Sequence, residues 1–222
     1  MIFSKQMIKE FNTTAIFNLI HDKMPISRAQ VAQITGLSPT TVSTLTQNMI
    51  DFGIVYETGL GESITSGRRP LMLEVNPSGA YIAAMEINVG ELTCALFDAT
   101  CHGIAEQSRP IVNYNELGAL ILDALKAIIR DAGIPEEKFL GLSVGIPAVL
   151  APDTQRIISS TILPVDPGVD FLTPVRRAFP GRIISAGNET SYAAYAQWKA
   201  GPHGHPANLV YIDVNIGIGA GI

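Results

Sequence analysis

Residues 27–45 read SRAQVAQITGLSPTTVSTL, and the order of capping, small and apolar side chains in that stretch decides the first half of the chain. Ser27 with Gln30 three residues on forms a Ser-x-x-Gln capping box, in which each side chain satisfies an orphan amide near the other. Ile26 and Val31 flank the box at the spacing of a hydrophobic staple. Gly36 supplies a turn, because glycine accepts positive φ at little cost. Ser38 caps a second helix, and Pro39 takes its first position, where no amide donor is lost. Ala32, Gly36 and Val42 then stand at positions 5, 9 and 15 of a twenty-residue helix-turn-helix: a small residue at the crossing, the turn, and an inward apolar residue. The stretch reads as a DNA-recognition unit.

Working outward, residues 7–22 predict a first helix with Ile8, Phe11, Ala15 and Leu19 along its apolar face. On the helix from Pro39 to about residue 52, Val42, Leu45, Met49 and Phe52 fall on the inner side. Thr40, Ser43, Thr44 and Gln47 fall on the opposite side. With Ser38 and Thr41 at the helix start, they are candidate DNA contacts, since hydroxyls and amides both donate to and accept from base edges in a major groove. Residues 54–57 and 70–75 predict two strands of a wing. Between them lie Gly59, Gly61, Ser63, Thr65, Ser66 and the run Gly67-Arg68-Arg69-Pro70. Arg68 and Arg69 are candidate contacts to phosphate or to a narrow minor groove. This domain is expected over residues 1–75.

Asn76-Pro77-Ser78-Gly79 punctuates the chain, and a second domain is expected over residues 80–222. Strands are predicted at 81–87, 92–98, 104–112, 141–146, 183–186 and 209–214. Helices are predicted at 117–132, 170–179 (with Pro174 in its first turn) and 189–199. The order β-β-β-α-β-α-β-α-β argues for an α/β domain on a mixed sheet. The chain then runs into Gly217-Ile218-Gly219-Ala220-Gly221. Glycines there open either a turn approaching phosphate or a hairpin, so the sequence reads as a piece of a longer chain.

The 222 residues carry a net charge of −5, unevenly divided. Residues 1–70 hold six Lys/Arg and five Asp/Glu (6 − 5 = +1), whereas residues 71–222 hold nine and fifteen (9 − 15 = −6). A near-neutral DNA reader joined to an acidic sensor fits that asymmetry. Cys94 and Cys101 form no disulfide framework and match no zinc spacing, which points to a reducing cytoplasm. His203 and His205 sit in a turn-rich loop and read as solvated. No signal peptide and no apolar run long enough for a membrane span is found, so a cytoplasmic protein is expected.

From about residue 8 onward the chain resembles the ROK family of repressors and sugar kinases. The resemblance rests on the helix-turn-helix, on Gly67-Arg68-Arg69-Pro70 and on the linker from Leu73 to Pro77. It continues through the turn after Glu86, Gly145-Ile146-Pro147, Asn188-Glu189 and the glycines from Gly217. It implies a winged helix-turn-helix on the first lobe, and the start of the second, of an actin-like, hexokinase-like domain (ribonuclease H-like), apparently truncated. The family's kinases use Asp-Ile-Gly-Gly-Thr to meet ATP phosphates, where this chain has Glu86-Ile87-Asn88-Val89-Gly90. Their Asn-Asp pair binds sugar hydroxyls and supplies the general base; here it is Asn188-Glu189. Their Gly-Thr-Gly-Ile-Gly-Gly-Gly becomes Asn215-Ile216-Gly217-Ile218-Gly219-Ala220-Gly221. With phosphate motifs so altered, no catalytic residue is expected.

The resemblance therefore implies a repressor of carbohydrate genes that binds double-stranded operator DNA as a homodimer or higher oligomer. A sugar or sugar derivative would bind near Asn188, Glu189, Gly145 and Pro147. A helix-cap role for Asn188, with Glu189 complementing the helix dipole, is the plainer reading of those two residues. No cofactor is expected here, and the family's zinc motif would lie beyond residue 222. The alternatives are a sugar kinase carrying a DNA-binding domain, or a regulator controlled by a protein partner.

Overall fold

Ser4 opens the first helix, α1 (Lys5–Lys23), by accepting a hydrogen bond from the Met7 amide. The computed structural model describes residues 4–61, 69–201 and 206–222 and divides into two units, 1–80 with 98–102, and 81–97 with 103–222. In the first unit, β1 (Ile26–Ser27) leads into α2 (Arg28–Thr35), then α3 (Pro39–Asp51), β2 (Val55–Leu60) and β3 (Leu71–Val75). The Ser27–Gln30 capping box forms, Gly36 closes α2 at φ +70°, and Ser38 accepts from the Thr41 amide with Pro39 behind it.

Ile16, Ile20, Ile26, Val31, Val42, Leu45, Met49, Val55, Leu73 and Val75 form one core. Two sequence expectations fail at its rim. On α1 the buried pair is Ile16 and Ile20, while Ile8 is 49% and Phe11 75% exposed. The helix carries overlapping apolar stripes, and burial falls on its C-terminal half. Phe52 is the C-cap of α3 and is exposed, at the point where Gly53 at φ +73° turns the chain out of the helix. Strand β1 was not anticipated. Two residues show no periodicity, and they become a strand only by pairing Ile26 with Leu73 and Ser27 with Met72, giving the order β1-β3-β2.

The second unit contains β4 (Tyr81–Ile87), β5 (Glu91–Asp98), β6 (Gly103–Pro110), α4 (Leu117–Asp131) and β7 (Phe139–Ile146). A small hairpin follows, β8 (Val149–Leu150) with β9 (Ile157–Ser159). Then come α5 (Thr173–Ala178), β10 (Ile183–Asn188), α6 (Glu189–Ala200), β11 (Tyr211–Val214) and β12 (Ile218–Gly221). The main sheet has the order β10-β7-β4-β5-β6, with β10, β7 and β4 parallel and β5 antiparallel to β6. This is the expected mixed sheet. Its inner strand β7 is buried almost throughout, as a strand flanked by parallel neighbours should be. Gly141 allows the tightest approach there: a Cβ would lie 2.2 Å from the Ile183 carbonyl oxygen. Helix α4 lays Leu117, Ile121, Leu125 and Ile128 against the same core as Leu92, Leu96 and Val144.

Candidate functional site

The exposed side of α3 is built by its own short-range bonds. Ser38, Thr40, Ser43, Thr44 and Gln47 are exposed and Thr41 is half-buried, while Val42, Leu45, Thr46 and Met49 face inward. The Thr44 hydroxyl donates to the Thr40 carbonyl at 3.0 Å, and Ser38 Oγ and Thr41 Oγ1 stand 2.8 Å apart. Gln47 Nε2 donates to Asp51 Oδ1 at 2.9 Å, which fixes the amide and keeps its carbonyl oxygen and second N–H for another partner. Asp51 was missed as an orienting residue, although its i+4 spacing from Gln47 was legible. Arg69 is exposed, and its Nε donates to the Gly61 carbonyl at 2.9 Å across the base of the β2–β3 connection. Arg68 lies outside the described residues.

In the second unit, three parallel strands bring distant motifs together. Glu86 of β4 is in register with Gly145 of β7, which is in register with Gly187 of β10. The segments following these strands therefore leave the sheet on one side, the usual place for a ligand in an α/β fold. A cleft of about 320 Å³ opens there. Glu86, Asn88 and Val89 line it from the β4 turn, Pro147 from the end of β7, and Glu189 from the start of α6. Asp213 and residues 215–219 of the β11–β12 hairpin close it, with Ile162.

Each wall has a local cause. The turn after β4 is locked by Tyr114, whose hydroxyl accepts from the Gly90 amide at 2.5 Å and donates to the Asn88 carbonyl at 3.1 Å. Ser160 Oγ donates to the Pro147 carbonyl at 2.7 Å and accepts from the Ile162 and Leu163 amides, which holds Ile162 against Gly217. The glycines of the final run serve packing. A Cβ on Gly219 would fall 2.3 Å from Thr190 Oγ1, and one on Gly221 would fall 2.3 Å from the Thr190 carbonyl oxygen. Of the two sequence readings for this run, the hairpin is the one observed.

Glu189 and Pro147 line the cleft; Asn188 and Gly145 stand behind it. Asn188 Oδ1 accepts from the Thr190 and Ser191 amides at 3.0 and 3.3 Å, so it caps α6. Gly145 is buried beneath Glu189 and Tyr192. Glu189 Oε1 accepts from the Thr190 hydroxyl at 3.2 Å, whereas Oε2 is buried with no hydrogen-bond partner among the described residues. A carboxylate oxygen in that state requires a donor. Asp213 was missed by sequence reasoning; its only signal was a lone charge inside a predicted strand. Among the described residues the cleft thus presents three carboxylates, two asparagine amides and no basic side chain. Among the described residues, no group of three or more His, Cys, Asp or Glu is placed to hold a metal ion, and no helix is long and apolar enough to cross a membrane.

Comparison with known proteins places this architecture. A relative from Caldicellulosiruptor sp. (strain Rt8B.4) is 32% identical over 97% of this chain and 54% of its own length. The xylose repressor of Caldicellulosiruptor bescii is 26% identical over 97% of this chain, and that of Bacillus subtilis 24% identical over all of it. The chain spans about half the length of the curated relatives it matches, 54% and 57% for these two. Among solved structures, a ROK family transcriptional regulator homologous to the Escherichia coli MLC protein superposes on 96% of this chain and 54% of its own, with a TM-score of 0.79 at 21% identity. A ROK family glucokinase from Streptomyces griseus superposes on 64% of this chain and 43% of its own, with a TM-score of 0.50 at 13% identity. The family model described as ROK matches residues 82–222, well over half of the sequence, and the chain therefore belongs to the ROK family.

Proposed function

We propose that this chain is the DNA-reading and sugar-sensing portion of a transcriptional repressor of carbohydrate-utilisation genes. The first unit acts as a winged helix-turn-helix, with α3 entering the major groove and Arg68 and Arg69 on the wing meeting the backbone or minor groove. The second unit acts as the first lobe, and the start of the second, of an actin-like domain. The protein works as a homodimer or higher homo-oligomer on a pseudo-palindromic operator. The observation that carries this reading is the exposed polar face of α3, capped at Ser38 and set opposite a buried Val42-Leu45-Met49 stripe. Relatives named as repressors of xylose and N-acetylglucosamine functions support it.

The effector is an unphosphorylated sugar. Among the described residues, Glu86, Glu189 and Asp213 line the cleft without a basic side chain, which opposes a phosphate dianion and suits a polyol whose hydroxyls donate to carboxylates. The unpartnered Glu189 Oε2 accepts one of those hydroxyls. The test uses a duplex enriched on this protein from a randomised library, followed by fluorescence anisotropy across a panel of pentoses, hexoses and their phosphates. One neutral sugar is expected to shift DNA affinity, and Glu189→Ala is expected to remove that shift while preserving DNA binding. Failure to enrich any duplex, or a response confined to phosphosugars, would overturn the corresponding half of the proposal.

The same cleft keeps alive a sugar-kinase reading, since Glu189 retains a carboxylate where the family's kinases carry their general base. The β4 turn argues against it. Asn88 and Val89 place side chains where close backbone approach to phosphate needs glycine.

A further inference from the structure

Arg28 is the first residue of α2, a position where the helix dipole opposes a cation. Its side chain nevertheless lies inward of the surface, 24% exposed, and its planar fork is divided between two elements. Nε donates to Thr46 Oγ1 at 3.1 Å, and Nη1 donates to Glu57 Oε1. Thr46 is fully buried on the inner side of α3, its hydroxyl proton directed to the Val42 carbonyl at 2.8 Å, which leaves a lone pair for Arg28. Glu57 lies on β2, in register with Leu73 of β3, which pairs in turn with Ile26 of β1, two residues before Arg28. One guanidinium therefore joins the start of α2, the middle of α3 and the outgoing strand of the hairpin.

The ion pair, with both partners partly exposed, adds little stability, and the bond to buried Thr46 needs only one of the fork's donors. What the fork supplies is direction. Two donors fixed in one plane hold Thr46 and Glu57 at a set separation, which a flexible ammonium cannot do. We infer that Arg28 is a positioning residue for DNA recognition: it sets α3 relative to the β2–β3 hairpin, so that base-edge and backbone contacts are made together. The inference rests on the proposed reading of this unit as the DNA reader.

The test compares the full chain with Arg28→Lys, Arg28→Met and Glu57→Gln, on a duplex enriched by the wild-type protein and on random duplex, over a salt series. Expected is a roughly tenfold fall in the preference for the enriched duplex in all three, with affinity for random duplex at low salt and the salt slope unchanged. Circular dichroism melts identify variants that need a lower assay temperature, so that only folded protein is compared. If Arg28 instead bound phosphate directly, Arg28→Met would flatten the salt slope by about one phosphate, and Glu57→Gln would tighten binding on both duplexes; either result overturns the inference. Wild-type preference retained in folded Arg28→Met would overturn it as well. Enrichment of no duplex by the wild-type chain would refute the DNA-reading proposal itself.

Discussion

Gln47 shows how much chemistry one side chain can hold in reserve. Its amide is oriented by Asp51, yet an oxygen and an N–H remain, enough for one bidentate contact to a base edge. Gln47→Ala is expected to relax sequence preference at one or two operator positions by about 1–3 kcal/mol, while binding to random duplex stays the same. Anisotropy titrations against singly substituted operators read this directly, and equal losses on specific and random DNA would remove Gln47 from the groove. Cys94 illustrates the opposite case, a group silenced by its surroundings. Burial pushes its thiol up to about 12, against an opposing pull from Arg109. An unfolded cysteine ionises at about 8.5. The stability gained by keeping the native thiol neutral is therefore full below that value and is lost as pH rises toward 12. Denaturant midpoints are expected to fall above about pH 9, less steeply in Cys94→Ala. Native protein should offer a thiol reagent the exposed Cys101 alone.

At the scale of elements, glycines of similar appearance in the sequence have different structural causes. Gly36 ends α2 at φ +70°, and a Cβ there would meet nothing within 4 Å. Gly36→Ala should therefore cost only backbone strain, about 1–2 kcal/mol. Gly219 is the reverse case: its constraint is Thr190 Oγ1, 2.3 Å from where a Cβ would sit. Gly219→Ala should cost about 1–3 kcal/mol through overpacking of the hairpin on α6, and it should disturb the cleft wall as well. Chemical denaturation reads both costs, and a sugar titration of each variant distinguishes the two mechanisms, because only Gly219→Ala should also weaken the proposed sugar binding. A Gly219→Ala variant as stable as the parent would mean that the hairpin can move off α6.

For the whole molecule, the question that divides regulator from enzyme is whether the cleft can stabilise a phosphoryl group in flight. Such transfer depends chiefly on positioning and electrostatic stabilisation. Here the cradle presents Asn88, Val89 and Ile216 with three carboxylates, and Tyr114 fixes the β4 turn in that form. Losing two electrostatic contacts at about 3 kcal/mol each would slow the reaction by ~10⁴-fold. Full-length protein with ATP, magnesium and a sugar it binds is expected to turn over far below about 1 s⁻¹. Turnover at or above that rate in a coupled assay would establish a kinase.

The sequence by itself determined the features that depend on neighbours along the chain. The Ser27–Gln30 box, the positive φ at Gly36, the Ser38-Pro39 start of α3 and the mixed α/β order were all legible, because caps, turns and periodicity are local. Tertiary structure decided what depends on distant partners. On α1 it selected Ile16 and Ile20 over Ile8 and Phe11, because overlapping stripes of one helix cannot be ranked without knowing what packs on them. It made Ile26–Ser27 a strand only through the pairing with β3. Asn188 caps α6 by a rule as local as those, through its Oδ1 alone, while the tertiary arrangement brought Glu189 to the cleft. Asp213 and Glu86 reach the same cleft as Glu189 from sites far apart in the sequence, because parallel strands carry the segments after them to one side of the sheet and the final hairpin folds over it.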